Sequence, residues 1–139
     1  MAIERSLAMI KPDAVAAGSI GGIVGMIEAS GLRIVAMKMT RLTMADAQAF
    51  YAVHRERGFY ASLCEFMSSG PIVALVLEGD NAILRWRDLM GPTDSTLAPK
   101  DTVRGRFGKD KGENATHGSD AVETAAVEIP FFFSAREIV

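Results

Sequence analysis

"IVALVL" (residues 72–77) is the longest uninterrupted apolar run in a chain of 139 residues. Six residues are far too few to cross a membrane, and the mix of β-branched and leucine side chains reads as a buried strand. Gly70-Pro71 stops whatever precedes it, and Asp80 or Asn81 opens a helix beyond it that Gly91 closes. Upstream, "SLAMI" (6–10) reads as a second strand, stopped by a turn at Lys11-Pro12-Asp13. Ser19 caps a helix whose apolar residues Ile20, Ile23, Val24 and Ile27 recur at helical spacing, and Gly31 ends it. "LRIVAMKMTRL" (32–42) is a third strand, and "TMAD" (43–46) is a capping-box start for a helix that runs through Phe50 and Tyr51. "FYASLCEFM" (59–67) is a further helix.

From Gly91 to Gly118 the periodicity disappears, and a stretch of that length without elements is either a functional loop or one whose elements the pattern does not show. A very short fourth strand is expected near His117. Asp120 and Glu123 then form a capping box for a last helix with Val122, Ala125, Ala126 and Ile129 on one face, and Pro130 ends it. The order β-α-β-α-α-β-α-loop-β-α matches an α+β, ferredoxin-like split βαβ sandwich. It predicts a four-stranded antiparallel sheet with covering helices, built as a single domain over 1–139.

The composition bounds the chemistry. With 49% apolar and 23% charged residues and a net charge of −2, the chain is globular and carries no general basic face for nucleic acid. Cys64 is the only cysteine, which excludes a disulfide framework or a thiolate cluster and suits a small buried role. Charges at Glu4 and Arg5 with no long apolar segment after them do not form a signal peptide, so a cytoplasmic location is expected, with no membrane partner. No G-x-x-x-x-G-K-[ST] or G-x-G-x-x-G run is present, so phosphate handling would rest on side chains.

The candidates for that work are Lys11 at a strand end, Arg87 on a helix, Arg104 and Arg106 in the long loop, and Thr93 and Asn114 at its flanks. His117 sits in "NATHGSD" (114–120) between a polar turn and a helix start, beside Gly118 and Ser119. By residue type alone it suits a nucleophile, an acid–base group, a ligand or a structural residue. His54, flanked by charges, reads as structural.

"NATHGSD" closely resembles the active-site signature of the nucleoside diphosphate kinases. "AMIKPDAV" (8–15), "FYAVHRERGFY" (50–60), "MSSGPIVALVLEGDNAI" (67–83) and "TVRGRF" (102–107) resemble further segments of that family, in order, over nearly the whole chain. The resemblance implies a reversible, ping-pong γ-phosphate transfer from a nucleoside triphosphate to a nucleoside diphosphate through phospho-His117. It assigns Glu128 and Ser119 to orienting the ring, with Tyr51 beside it. Lys11, Arg87, Arg104 and Thr93 would hold the phosphates, Asn114 and Lys11 the sugar hydroxyls, and Phe59 would stack on the base. Mg²⁺ is implied on the nucleotide phosphates with no carboxylate cage on the protein. A homo-oligomer is implied, tetramer or hexamer, built from dimers. Lys111 stands where the family commonly has an apolar residue against the base. A nucleotide-binding domain without catalysis would need neither His117 nor Glu128 nor Ser119, and a nucleic-acid binder would need a basic face.

Overall fold

The computed structural model describes residues 3–139. "IVALVL" lies in a strand buried on both faces, as its unbroken apolar character requires. Among the described residues, β1 (Ile3–Ile10), β2 (Arg33–Thr40), β3 (Ile72–Asp80) and β4 (Thr116–Gly118) form one sheet in the order β2-β3-β1-β4. Every pairing is antiparallel, so β1 runs parallel to β2 with β3 between them, and β3 runs parallel to β4 with β1 between them. This is the expected split βαβ arrangement.

Strand periodicity separates the core into two layers. Leu7, Met9, Ile72, Ala74 and Val76 pack on one face with α3 (Met44–Phe50), α4 (Tyr60–Met67) and the end of α7 (Val122–Phe132). Cys64 is buried in that layer. Ala8, Ile10, Val73, Leu75 and Leu77 pack on the other face with α2 (Ile20–Ala29), α5 (Ala82–Met90) and α6 (Val103–Phe107).

Several local expectations need correction. Lys11-Pro12-Asp13 is not only a strand stop. It opens a short helix, α1 (Pro12–Ala16), because proline at N1 needs no donor and already has helical φ. The stretch 91–118 is not without elements. It holds a 3-10 turn at Ser95–Leu97 and α6, whose cap Thr102 accepts from Gly105 N–H at 3.1 Å. Five residues are too few to display a helical period. The start of α7 is displaced by one residue from the Asp120–Glu123 box: the Thr124 hydroxyl accepts from both Asp120 N–H (3.1 Å) and Ala121 N–H (2.9 Å). Pro130 does not end α7 but lies inside it, and Phe133 N–H still reaches Ile129 O at 2.9 Å. The aromatic pair Phe132 and Phe133 is buried in the core, and that burial carries the helix past the proline. Thr43 and Asp46 do form the expected capping box of α3, and Gly91 ends α5 at φ +83°.

Candidate active site

β4 projects His117 from the edge of the sheet into a cleft of about 760 Å³, opposite Met9 in register. Behind the ring, His117 Nε2 lies 3.2 Å from Glu128 Oε1 on α7. Ser119 is fully buried, and its Oγ donates to the same carboxylate oxygen at 2.9 Å. That hydroxyl also accepts Leu7 N–H at 3.0 Å, so a side chain continues the β1–β4 ladder where β4 has ended. One hydroxyl therefore ties the central strand to the carboxylate that faces His117. Tyr51 packs edge-on to the imidazole at 6.3 Å between centroids, with Phe50 at 5.6 Å. The Tyr51 hydroxyl is buried without a partner among the described residues, and burial, then the Glu128 charge, pushes its pKa above the usual phenol range.

The cations stand on separate elements that the fold draws together. Lys11 follows β1, and its Nζ donates to Asn114 Oδ1 at 2.8 Å. Burial first, and then the Arg104 charge, push the Lys11 pKa down to about 8, against the opposing pull of Asp13. Arg104 on α6 is buried and donates from Nη1 to Gly91 O (3.0 Å) and from Nη2 to Thr116 O (2.9 Å). Burial, and then Arg87, hold its pKa below the usual guanidinium range, at about 10, still charged at neutral pH. Its Nε is buried without a partner among the described residues. Arg87 on α5 reaches the cleft wall and pairs with Asp120 at 2.6 Å.

Asn114 is a clasp: its Nδ2 donates to Thr93 O (3.0 Å) and Lys111 O (3.1 Å) while its Oδ1 takes Lys11. Thr93 is thus fixed at the cleft edge through its backbone. Phe59, at the N-terminal cap of α4, is half exposed at the cleft mouth. Lys111 lines the same mouth, and Arg106 is absent from the cleft lining.

Between Asn114 and His117 the backbone makes a γ-turn. Ala115 sits at φ +71°, and Thr116 N–H reaches back to Asn114 O at 2.8 Å. For a residue with a Cβ this conformation is strained, and strain of this kind persists only where surrounding contacts impose it. Here both peptide groups are held. Ala115 O accepts Lys11 N–H at 2.8 Å, and Ala115 N–H donates to Asp13 Oδ2 at 3.1 Å. Asp13 was not among the residues expected to matter, and with the partners 102 positions apart no local signal points to it. His54, whose sequence context reads as structural, lines the cleft with its ring 5.6 Å from Phe59.

Gly118 lets the backbone of β4 rest closely against α5. A Cβ there would lie 2.6 Å from Trp86 Cδ1 and 2.6 Å from Met90 Cε. Among the described residues, no three His, Cys, Asp or Glu side chains are grouped so as to hold a metal ion. No helix among them is long and apolar enough to cross a membrane.

The family model described as nucleoside diphosphate kinase matches residues 4–138. The chain belongs to that family. A nucleoside diphosphate kinase from Bradyrhizobium diazoefficiens is 54% identical over 139 residues, covering all of this chain and 99% of the relative. One from Nitrosospira multiformis is 57% identical over 133 residues, with 96% and 94% coverage. Among solved structures, the Aquifex aeolicus nucleoside diphosphate kinase superposes with a TM-score of 0.98 at 51% identity, covering 99% of this chain and 100% of that one. A halophilic nucleoside diphosphate kinase from Halobacterium salinarum, solved in complex with CDP, gives 0.94 at 41% identity, with 99% and 92% coverage.

Proposed function

We propose that this cleft moves the γ-phosphate of a nucleoside triphosphate to a nucleoside diphosphate in two half-reactions through His117. With the Nε2 proton directed at Glu128, Nδ1 keeps its lone pair and is the attacking atom. In the first half-reaction the Nδ1–P bond forms as the bond from the γ-phosphorus to the β,γ-bridging oxygen breaks. The electron pair leaves with the nucleoside diphosphate. In the second, a terminal oxygen of another diphosphate attacks phospho-His117 and the P–N bond breaks. Glu128 stabilises the imidazolium character that develops as the ring is phosphorylated, and Ser119 keeps that carboxylate in place.

Lys11, Arg87, Arg104 and Thr93 take the phosphoryl oxygens, where fixed positive charge lowers the barrier because it needs no reorganisation during transfer. The buried, unpartnered Arg104 Nε supports this assignment. Asn114, with one lone pair of Oδ1 still open, and Lys11 serve the sugar hydroxyls. Phe59 stacks on the base, and a π-face common to all bases gives broad tolerance. Mg²⁺ arrives on the nucleotide phosphates as part of the substrate. The chain acts as one domain, since both apolar layers cover one sheet. A homo-oligomer, tetramer or hexamer built from dimers, is part of the proposal. The exposed Met37 and Met39 on edge strand β2 support it, and light scattering tests it. A single buried cysteine suits the cytoplasm.

The observation that carries the reading is the Ser119–Glu128–His117 relay opening onto a cleft walled by Lys11, Arg87 and Arg104. The test is incubation with γ-labelled ATP and Mg²⁺. An acid-labile, base-stable label is expected on the protein and is absent from His117→Ala. A label that survives in His117→Ala refutes the reading.

A further inference from the structure

Trp86 is the chain's only tryptophan, stands on α5, and is fully buried. A buried indole N–H needs an acceptor. It takes the carbonyl of His117, with Nε1 3.2 Å from the oxygen. β4 has three residues and lies at the sheet edge, paired among the described residues with β1 alone. Trp86 therefore gives the nucleophile's own peptide group a second point of attachment from outside the ladder.

The contact is close along its length. A Cβ on Gly118 would meet Trp86 Cδ1 at 2.6 Å and Nε1 at 2.7 Å, so the backbone after His117 rests directly on the indole. The next residue of the same helix, Arg87, faces the cleft. One helix turn thus sets both the height of the His117 backbone and the place of a cation that faces the phosphates.

We propose that Trp86 is a positioning residue for His117: its indole fixes the backbone of β4 against α5, so the imidazole meets the phosphoryl group at a height set by the helix that carries Arg87. The proposal rests on His117 being the phosphorylated residue. Trp86→Phe removes the donor and keeps an aromatic ring. The single-turnover rate of His117 phosphorylation then falls by about tenfold, since sub-ångström misplacement of a reacting group is costly. Nucleotide KM stays within about twofold, because Lys11, Arg104 and Phe59 stand on other elements. Gly118→Ala lifts β4 off the indole and gives the same split between kcat and KM. In a Trp86→Leu background Gly118→Ala costs less than in the wild type, because the indole atoms its Cβ would meet are gone and Met90 Cε is a mobile end.

The unmodified protein supplies a second readout. Its only indole touches the nucleophile's peptide, so stopped-flow emission changes on mixing with nucleoside triphosphate at the rate at which label appears, and not in His117→Ala. Trp86→Phe that phosphorylates at the wild-type rate overturns the proposal. So does additive loss in the double variant, or emission that stays flat while label forms. If Trp86→Phe does not fold, the emission trace of the wild type decides alone. A label retained in His117→Ala would instead overturn the assignment of the nucleophile, so the two failures are distinct.

Discussion

Ser119→Ala removes one oxygen, and two groups lose their partner. The first is Leu7 N–H, on a fully buried stretch of β1, whose acceptor is the Ser119 hydroxyl at 3.0 Å. A buried donor left without a partner costs about 1–3 kcal/mol. The second is Glu128, which loses a 2.9 Å bond. A hydrogen bond to a charged group contributes about 1.5–3 kcal/mol, but the Glu128 side chain keeps 19% exposure and water replaces part of it, leaving a loss of about 1 kcal/mol. The expected destabilisation is therefore about 2–4 kcal/mol. At about 2–4 °C per kcal/mol for a domain near this size, Tm falls by about 5–15 °C. Freed from Ser119, the carboxylate holds the imidazole less firmly, and the phosphorylation rate falls by about 10–100-fold, the range typical of removing an orienting partner. Urea unfolding at one fixed protein concentration and single-turnover labelling measure the two effects. A loss below about 0.5 kcal/mol with an unchanged phosphorylation rate would refute the view that this hydroxyl joins the central strand to the relay.

Two more predictions follow from the cation and the γ-turn. Lys11 loses its proton near pH 8 in the folded protein and near its ordinary value of 10.5 in the unfolded chain. Nucleotide kcat/KM is expected to fall as pH rises through about 8. Between pH 8 and 10.5 the unfolded chain binds the extra proton, so this residue's contribution to stability rises with pH across the same window. Lys11→Met abolishes both trends, and a wild-type kcat/KM profile flat from pH 7 to 9.5 would contradict the assignment. Asp13→Ala orphans Ala115 N–H and releases the turn between Asn114 and His117, costing about 1–3 kcal/mol in urea unfolding. Asp13→Asn keeps an acceptor and recovers most of that loss; equal effects of the two variants would show that the clamp is not the cause.

The fold was legible because its signals are local. The "IVALVL" run has no polar face, so it reads as a buried strand that helices must cover, and the structure places helices on both sides of it. The Thr43–Asp46 cap was legible for the same reason, since cap and partner lie within one turn. α6 was not, because "VRGRF" makes little more than one turn and its cap is a lone Thr. Pro130 misled because a missing N–H is a local cost, whereas the burial of Phe132 and Phe133 that outweighs it is tertiary. Of the candidate site, His117, the cations and the ring-orienting pair could be named because "NATHGSD" and the segments before it resemble a known family. Asp13 and Trp86 could not, because each acts on a backbone group 102 or 31 residues away.

The sequence alone therefore determined the residue types available for phosphate chemistry and the strand and helix alternation that makes a split βαβ sheet. Both depend on neighbours within a few positions. The tertiary structure decided which imidazole nitrogen meets Glu128, how far burial lowers the Lys11 pKa, and that Ala115 is held in a conformation an alanine avoids. Those quantities arise where β1, α5, α7 and the 91–118 segment approach within hydrogen-bond distance. Distances across more than a hundred residues are set by the packing of two apolar layers on one sheet, which no local pattern records.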